Sequence, residues 1–136
     1  MTPTLSATGL PVAEHPPLDA LLRPLVAEDL DAVCALDRRV FGASRRAYFE
    51  KRVQAALRQP KRHLQVALTT PPGLVGFLLA RVAGGEYGRP EQMVVLEAAG
   101  VAPEAQHHGL GRKLLDGLDT LMQSRRIQTL TTQVDW

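Results

Sequence analysis

One cysteine, Cys34, in 136 residues leaves no intramolecular disulfide and no thiolate cluster for zinc. Aromatic residues are scarce, with three Phe, two Tyr and one Trp. The basic pairs (Arg38-Arg39, Arg45-Arg46, Lys51-Arg52, Lys61-Arg62, Arg125-Arg126) therefore have no interleaved rings on which bases would stack. A formal net charge of +2 is too small to argue for nucleic acid, and the pairs read as solvated helix faces. No apolar run approaches the roughly 20 residues of a membrane helix. Residues 1–17 hold neither a basic stretch nor an apolar stretch of the kind a secretion signal needs. These absences predict a soluble, cytoplasmic protein with no membrane and no nucleic-acid partner. His107 and His108 are adjacent, so their side chains diverge, and His15 and His63 stand at no ligand spacing to them; no metal is expected.

Hydrophobic residues make up 45% of the chain and charged residues 22%, which suits one domain with a real core. Residues 1–18 are proline-rich and aperiodic, and read as a disordered tail ahead of a domain over 19–136. Residues 20–26 read as a short strand, with Pro24 arguing for an edge position. Residues 27–41 carry acids first and arginines last, as a helix dipole favours. Leu30, Val33, Cys34, Asp37, Val40 and Phe41 share a face of that helix, and Gly42 stops it. Cys34 in that stripe reads as a small core hydrophobe. Ser44 is placed to cap a second helix that runs to Gln59, before Pro60. Alternation over 63–70, an apolar run over 74–82 and a stretch over 91–101 predict three strands. Leu110, Leu114, Leu115, Leu118, Leu121 and Met122 define the strongest amphipathic helix, over 110–124, and 126–134 reads as a last strand. The order is strand, helix, helix, three strands, helix, strand: an α+β fold on a mixed sheet.

The segment "QHHGLG" (106–111) joins strand 91–101 to helix 110–124. Strand 126–134 follows, so the three make a βαβ unit, whose ligands gather at this end. The first turn of a helix leaves N–H groups unpaired and carries about half a positive charge. Gly109 and Gly111 let an anion approach the backbone, and Arg112 and Lys113 stand beside it. The local chemistry suits a pyrophosphate. The dinucleotide fingerprint fails because "GLGRKL" has Leu114 at its third glycine position, and the nucleotide-triphosphate loop is absent.

"VAPEAQHHGLGRKLL" resembles the acetyl-CoA-binding segment of the GNAT acetyltransferase superfamily, with the pattern [QR]-x-x-G-x-[GA]. Gln106, Gly109 and Gly111 match it, and Val101-Ala102-Pro103-Glu104 is a lead-in typical of the superfamily. The similarity extends over about residues 21–136. The resemblance implies an acetyl-CoA-dependent N-acetyltransferase in which a primary amine attacks the thioester directly. It implies that backbone groups at Val101 and Ala102 hold the pantetheine arm. The segment Gln106, His107, His108, Gly109, Leu110, Gly111 and Arg112 would hold the pyrophosphate through its amides. Many relatives carry a glutamate at the position of Glu97, which makes it the candidate base. By period two it shares a face with Val95, Ala99 and Val101. Paired with an arginine, the same glutamate would be structural. The acceptor is a small-molecule or protein amine. The alternative is a non-catalytic acyl-CoA-binding or regulatory module.

GNAT chains continue beyond the position of "QVDW" (133–136) with another helix and two strands, and that helix often supplies a tyrosine as general acid. This sequence stops at Trp136, so the expectation is a domain truncated after its fifth strand. That strand would be a bare edge through which copies associate as a homo-oligomer. Tyr48 and Tyr87 do not match the family's tyrosine and carry no acid role.

Overall fold

A computed structural model describes residues 19–43, 45–85 and 91–132. The tail over 1–18, the Ser44 cap, Tyr87 and the predicted strand end at 133–134 lie outside these residues. Eight regular elements follow the predicted order. They are β1 (Leu21–Pro24), α1 (Leu30–Phe41), α2 (Arg46–Arg58), β2 (His63–Thr70), β3 (Gly73–Gly84), β4 (Gln92–Val101), α3 (Leu110–Ser124) and β5 (Thr129–Thr132). They build one mixed sheet in the order β1-β2-β3-β4-β5, antiparallel except for the parallel pair β4–β5. Pro24 does sit on an edge strand, where its missing N–H breaks no ladder.

The helices divide between the two faces. Phe49 of α2 meets Phe77 of β3 edge-on, with ring centroids 5.5 Å apart. On the other face α3 buries Leu110, Leu114, Leu118 and Met122, four of the six residues its periodicity singled out. The core is continuous across the sheet, and β2 contributes Leu64, Val66 and Leu68 as its alternation predicts. Gly42 ends α1 at φ +86°, its N–H donating to the Arg38 carbonyl at 2.9 Å.

Several boundaries differ from expectation for local reasons. The first strand is four residues long, and 27–29 form a 3₁₀ turn rather than the start of α1. Asp29 is buried there, accepting both Arg23 Nη atoms at 2.7 Å and the Val26 N–H at 2.8 Å. The last strand begins at Thr129 rather than 126 because Arg126 is left-handed (φ +57°) and Ile127 folds back, its N–H donating to Met122 O at 2.9 Å. Cys34 is half-buried against the core, and burial pushes its thiol pKa up, so it is a packing residue. Val40 and Phe41 are exposed and Leu115 with them; all three leave the core to line a cleft.

Candidate active site

The site starts from an irregularity in β4. Leu79 stands opposite Ala98 while Ala80 stands opposite Leu96, so Glu97 is an extra residue, a β-bulge. The bulge breaks the two-residue period. Ala99 and Val101 pair with Leu78 and Gly76, on the α3 side, since a Cβ at Gly76 would meet Leu114. Ala98 and Gly100 pair with Leu79 and Phe77, on the side of α1 and α2. Glu97 therefore does not share a face with Ala99 and Val101 as simple alternation predicted. It points with Ala98 towards α2.

On that side the Glu97 side chain is 6% exposed, and its Oε2 accepts from Arg52 Nε at 3.1 Å with Arg81 Nε at 3.5 Å. Its other oxygen, Oε1, is buried without a hydrogen-bond partner among the described residues. Tyr48 Oη donates to the main-chain carbonyl of Glu97 at 3.0 Å. Arg52 closes the group, donating from Nη1 to the Tyr48 carbonyl at 3.1 Å and lying 3.4 Å over the Tyr48 ring.

Beside Glu97 opens a cleft of about 500 Å³. Its walls include Phe41 and Tyr48 from the helices, Glu97, Ala99 and Val101 from β4, and Leu115 from α3. Asp37, 4% exposed, accepts from Arg45 Nε at 3.0 Å, and the Arg45 guanidinium lies 3.9 Å over the Phe41 ring. The hydrogen bond to Asp37 raises the Arg45 pKa further, so the guanidinium stays charged. Parallel pairing with β5 covers Met93 to Leu96, and among the described residues nothing pairs with 97–101 on that edge.

The main chain of that free edge can be assigned group by group. Ala102 donates its N–H to Val75 O at 2.8 Å, inside the sheet. Antiparallel alternation then turns the N–H and C=O of Ala99 and Val101 outward, to the free edge. Val101 O accepts from Gln106 Nε2 at 3.2 Å. Ala102, expected among the ligand-holding groups, has its N–H engaged and is 1% exposed, while Ala99 and Val101 turn their main-chain groups the other way.

Past Val101 a 3₁₀ turn over Pro103–Ala105 leads to His107 and Gly109, both left-handed (φ +69° and +73°). Gly109 precedes α3 with no side-chain cap. The first helical bond is Lys113 N–H to Gly109 O at 3.0 Å, so the amides of Leu110, Gly111 and Arg112 lack helical acceptors. A Cβ at Gly109 or Gly111 would meet nothing within 4 Å, so both positions border open space. Arg112 stands beside them with its side chain 86% exposed. Lys113, expected to add charge here, turns away to bond Ala20 O. The arrangement fits a long ligand with an amide-bearing arm along β4 and an anion at α3. Among the described residues no three His, Cys, Asp or Glu side chains form a metal-binding group.

Comparison with known proteins points the same way. The model of the acetyltransferase (GNAT) family matches residues 30–135. An aminoglycoside acetyltransferase from an uncultured soil metagenomic sample, solved with sisomicin, is 17% identical, with 85% of this chain and 78% of that chain covered at a TM-score of 0.64. The ribosomal-protein-S18-alanine N-acetyltransferase of Escherichia coli is 25% identical, covering 85% of this chain and 66% of that one at a TM-score of 0.67. A GNAT family acetyltransferase from Staphylococcus aureus is 13% identical, over 86% and 87% of the two chains, at 0.69. No curated protein matches the chain significantly.

Proposed function

The chain belongs to the GNAT acetyltransferase family, and from that premise we propose that it transfers an acetyl group from acetyl-CoA to a primary amine, with both reactants bound together. The observation that carries this reading is the continuity of the β4 edge at 97–101, unpaired on that side among the described residues, with the uncapped start of α3. Val101 and Ala99 offer main-chain groups to the pantetheine arm. The 106–112 segment then offers its amides to the pyrophosphate, with Arg112 as the nearby charge. Gln106 braces the turn by holding Val101 O. Gly109 and Gly111 keep side chains out of the anion's way.

Acetyl-CoA brings a thioester whose acetyl carbon gains a C–N bond to the amine as its C–S bond breaks, the sulfur leaving as thiolate. Glu97 is the base: Oε1 accepts the proton that the attacking nitrogen loses, directly or through one water. Its ion pair with Arg52 and Arg81 is the structural role anticipated for this residue, but that pair engages Oε2. The second oxygen is left for chemistry. Binding the two reactants in one cleft supplies the orientation that direct attack requires.

The acceptor is a small-molecule amine or a protein amine, the two kinds named for the structural neighbours. Residues 19–136 form the catalytic unit in this reading, with 1–18 a tail outside it. Among the described strands β5 is an edge, with Leu130 46% exposed, and it is the surface on which a second copy would add a strand.

Titration calorimetry with acetyl-CoA, followed by thiol release with spermidine, sisomicin and an alanine-initiated peptide as acceptors, tests the reading. Binding with turnover on at least one acceptor is expected. Binding without turnover on any of them points to the acyl-CoA-binding module instead. Absence of binding overturns the assignment.

A further inference from the structure

Glu97 has two chemically equivalent oxygens in two different surroundings, and the difference originates on α2. Tyr48 and Arg52 are one helical turn apart, so their side chains rise from the same face. Arg52 lies 3.4 Å over the Tyr48 ring and donates to the Tyr48 carbonyl, which fixes the guanidinium against its own helix. From there Nε reaches Glu97 Oε2 at 3.1 Å. The Tyr48 hydroxyl independently holds the Glu97 carbonyl at 3.0 Å. That carbonyl belongs to the bulged residue, whose main chain the ordinary ladder leaves irregular. One pair of residues thus secures both the backbone and the carboxylate of Glu97.

Resting on the base assignment above, we propose that Tyr48 and Arg52 are positioning residues: they lock the β4 bulge and hold Oε2, so that Oε1 alone is left as proton acceptor. The division follows from donor geometry. A carboxylate free to rotate would present either oxygen, and the arginines would compete with the amine for both. With Arg52 fixed by its own stacking and Arg81 3.5 Å away on the same Oε2, rotation is opposed from α2 and β3 together. His63, half-buried on β2, also interacts with Glu97. Oε1 is left buried without a partner among the described residues. Such an atom is costly to leave unbonded and calls for an incoming N–H or O–H donor. Nothing in the family pattern of Gln106, Gly109 and Gly111 includes Tyr48 or Arg52, which lie on a different element.

The test is a mutant cycle of Arg52→Met, Tyr48→Phe and Glu97→Gln, with Arg52→Met combined with Glu97→Gln. Methionine keeps an unbranched stem over the Tyr48 ring, and phenylalanine keeps the ring under Arg52. Using the best acceptor of the three-compound panel, Glu97→Gln is expected to lower kcat at least about 100-fold. Arg52→Met and Tyr48→Phe are each expected to lower kcat about 10-fold or more, with the calorimetric Kd for acetyl-CoA unchanged. In the Glu97→Gln background, Arg52→Met should cost less than about twofold further, because a residue that acts through Glu97 has nothing left to position. A readout without turnover accompanies these: the side-chain carboxyl 13C resonance lost in Glu97→Gln should move in Arg52→Met and Tyr48→Phe of the free protein, while the other glutamates stay. A slow Glu97→Gln with wild-type rates in both α2 variants overturns the positioning roles alone. So does an additive double mutant, which marks Arg52 as merely structural. A Glu97→Gln that turns over normally overturns the base assignment and the proposal with it. If Arg52→Met does not fold, the rate and resonance of Tyr48→Phe decide.

Discussion

Gly100 lies so close to Phe77 that a Cβ built at position 100 would stand 2.9 Å from Phe77 Cε1. The two are register partners on β4 and β3, and the Phe77 ring is 1% exposed and packed edge-on against Phe49. The ring therefore cannot retreat without disturbing the contact that joins α2 to the sheet. Glycine at 100 lets the cleft floor run flat beside Phe77.

Gly100→Ala should accordingly destabilise the fold by about 1–3 kcal/mol, the usual cost of overpacking a filled core. Urea denaturation gives the value directly. Because Gly100 also lines the cleft, acetyl-CoA affinity should fall in the same variant. A stability equal to wild type counts against the contact.

The two glycines of the anion segment should separate on substitution, although sequence pattern treats them alike. Gly109 is left-handed, so any side chain there is strained by about 1–2 kcal/mol. Gly111 is the second residue of α3 at an ordinary helical φ with nothing near its missing Cβ. Alanine at 111 should stabilise the free protein by about 0.4–1 kcal/mol through the unfolded chain. It should still weaken acetyl-CoA binding by crowding the amides. Gly109→Glu should lower both, with Kd raised at least about tenfold, since each factor of ten is about 1.4 kcal/mol. Thermal melting and calorimetry on the two variants check the split; unchanged affinity in Gly109→Glu removes the anion site.

These contrasts show where sequence periodicity stops carrying information. The order of elements was legible because each has a period or a breaker: Gly42 after α1, Pro60 after α2, the leucine repeat of α3. The turn into α3 was legible because two glycines mark the junction between an apolar strand and a leucine-rich helix. The bulge at Glu97 was not, since an inserted residue leaves no mark in a strand as apolar as β4. Extrapolating period two past it sent Ala99 and Val101 to the wrong face. The direction of the Ala102 N–H was equally illegible, as which amide faces outward depends on pairing with Val75. Phe41 looked like core because an apolar cleft wall and a core have the same composition. Tyr48 and Arg52 had a weak signal, an aromatic and an arginine at i and i+4, but their partner is 45 residues or more away in the chain.

His63 gives the fold a specific acid sensitivity. It begins β2 opposite Arg81, half-buried, with Nδ1 buried and without a partner among the described residues. Burial lowers its pKa from the ordinary 6.5, and Arg62, Arg81 and Arg125 add to the effect while Glu97 opposes it. As pH falls through 6.5 the unfolded chain takes the proton first. The native state then binds fewer protons, and stability drops from there towards the folded pKa. Asp29 and Glu104 behave alike in sign but in a lower window. Hydrogen bonds from Arg23 and Arg39 hold them below the usual 3.8 and 4.5, so their stabilisation is lost only in more acid solution. Two steps of acid destabilisation are therefore expected, the upper one belonging to His63. Urea midpoints measured from pH 7.5 down to 3 should decline in the wild type between 7.5 and 5, and His63→Gln should flatten that decline while leaving the loss below pH 4 in place. Parallel profiles for the two proteins over the upper window would assign it to another group.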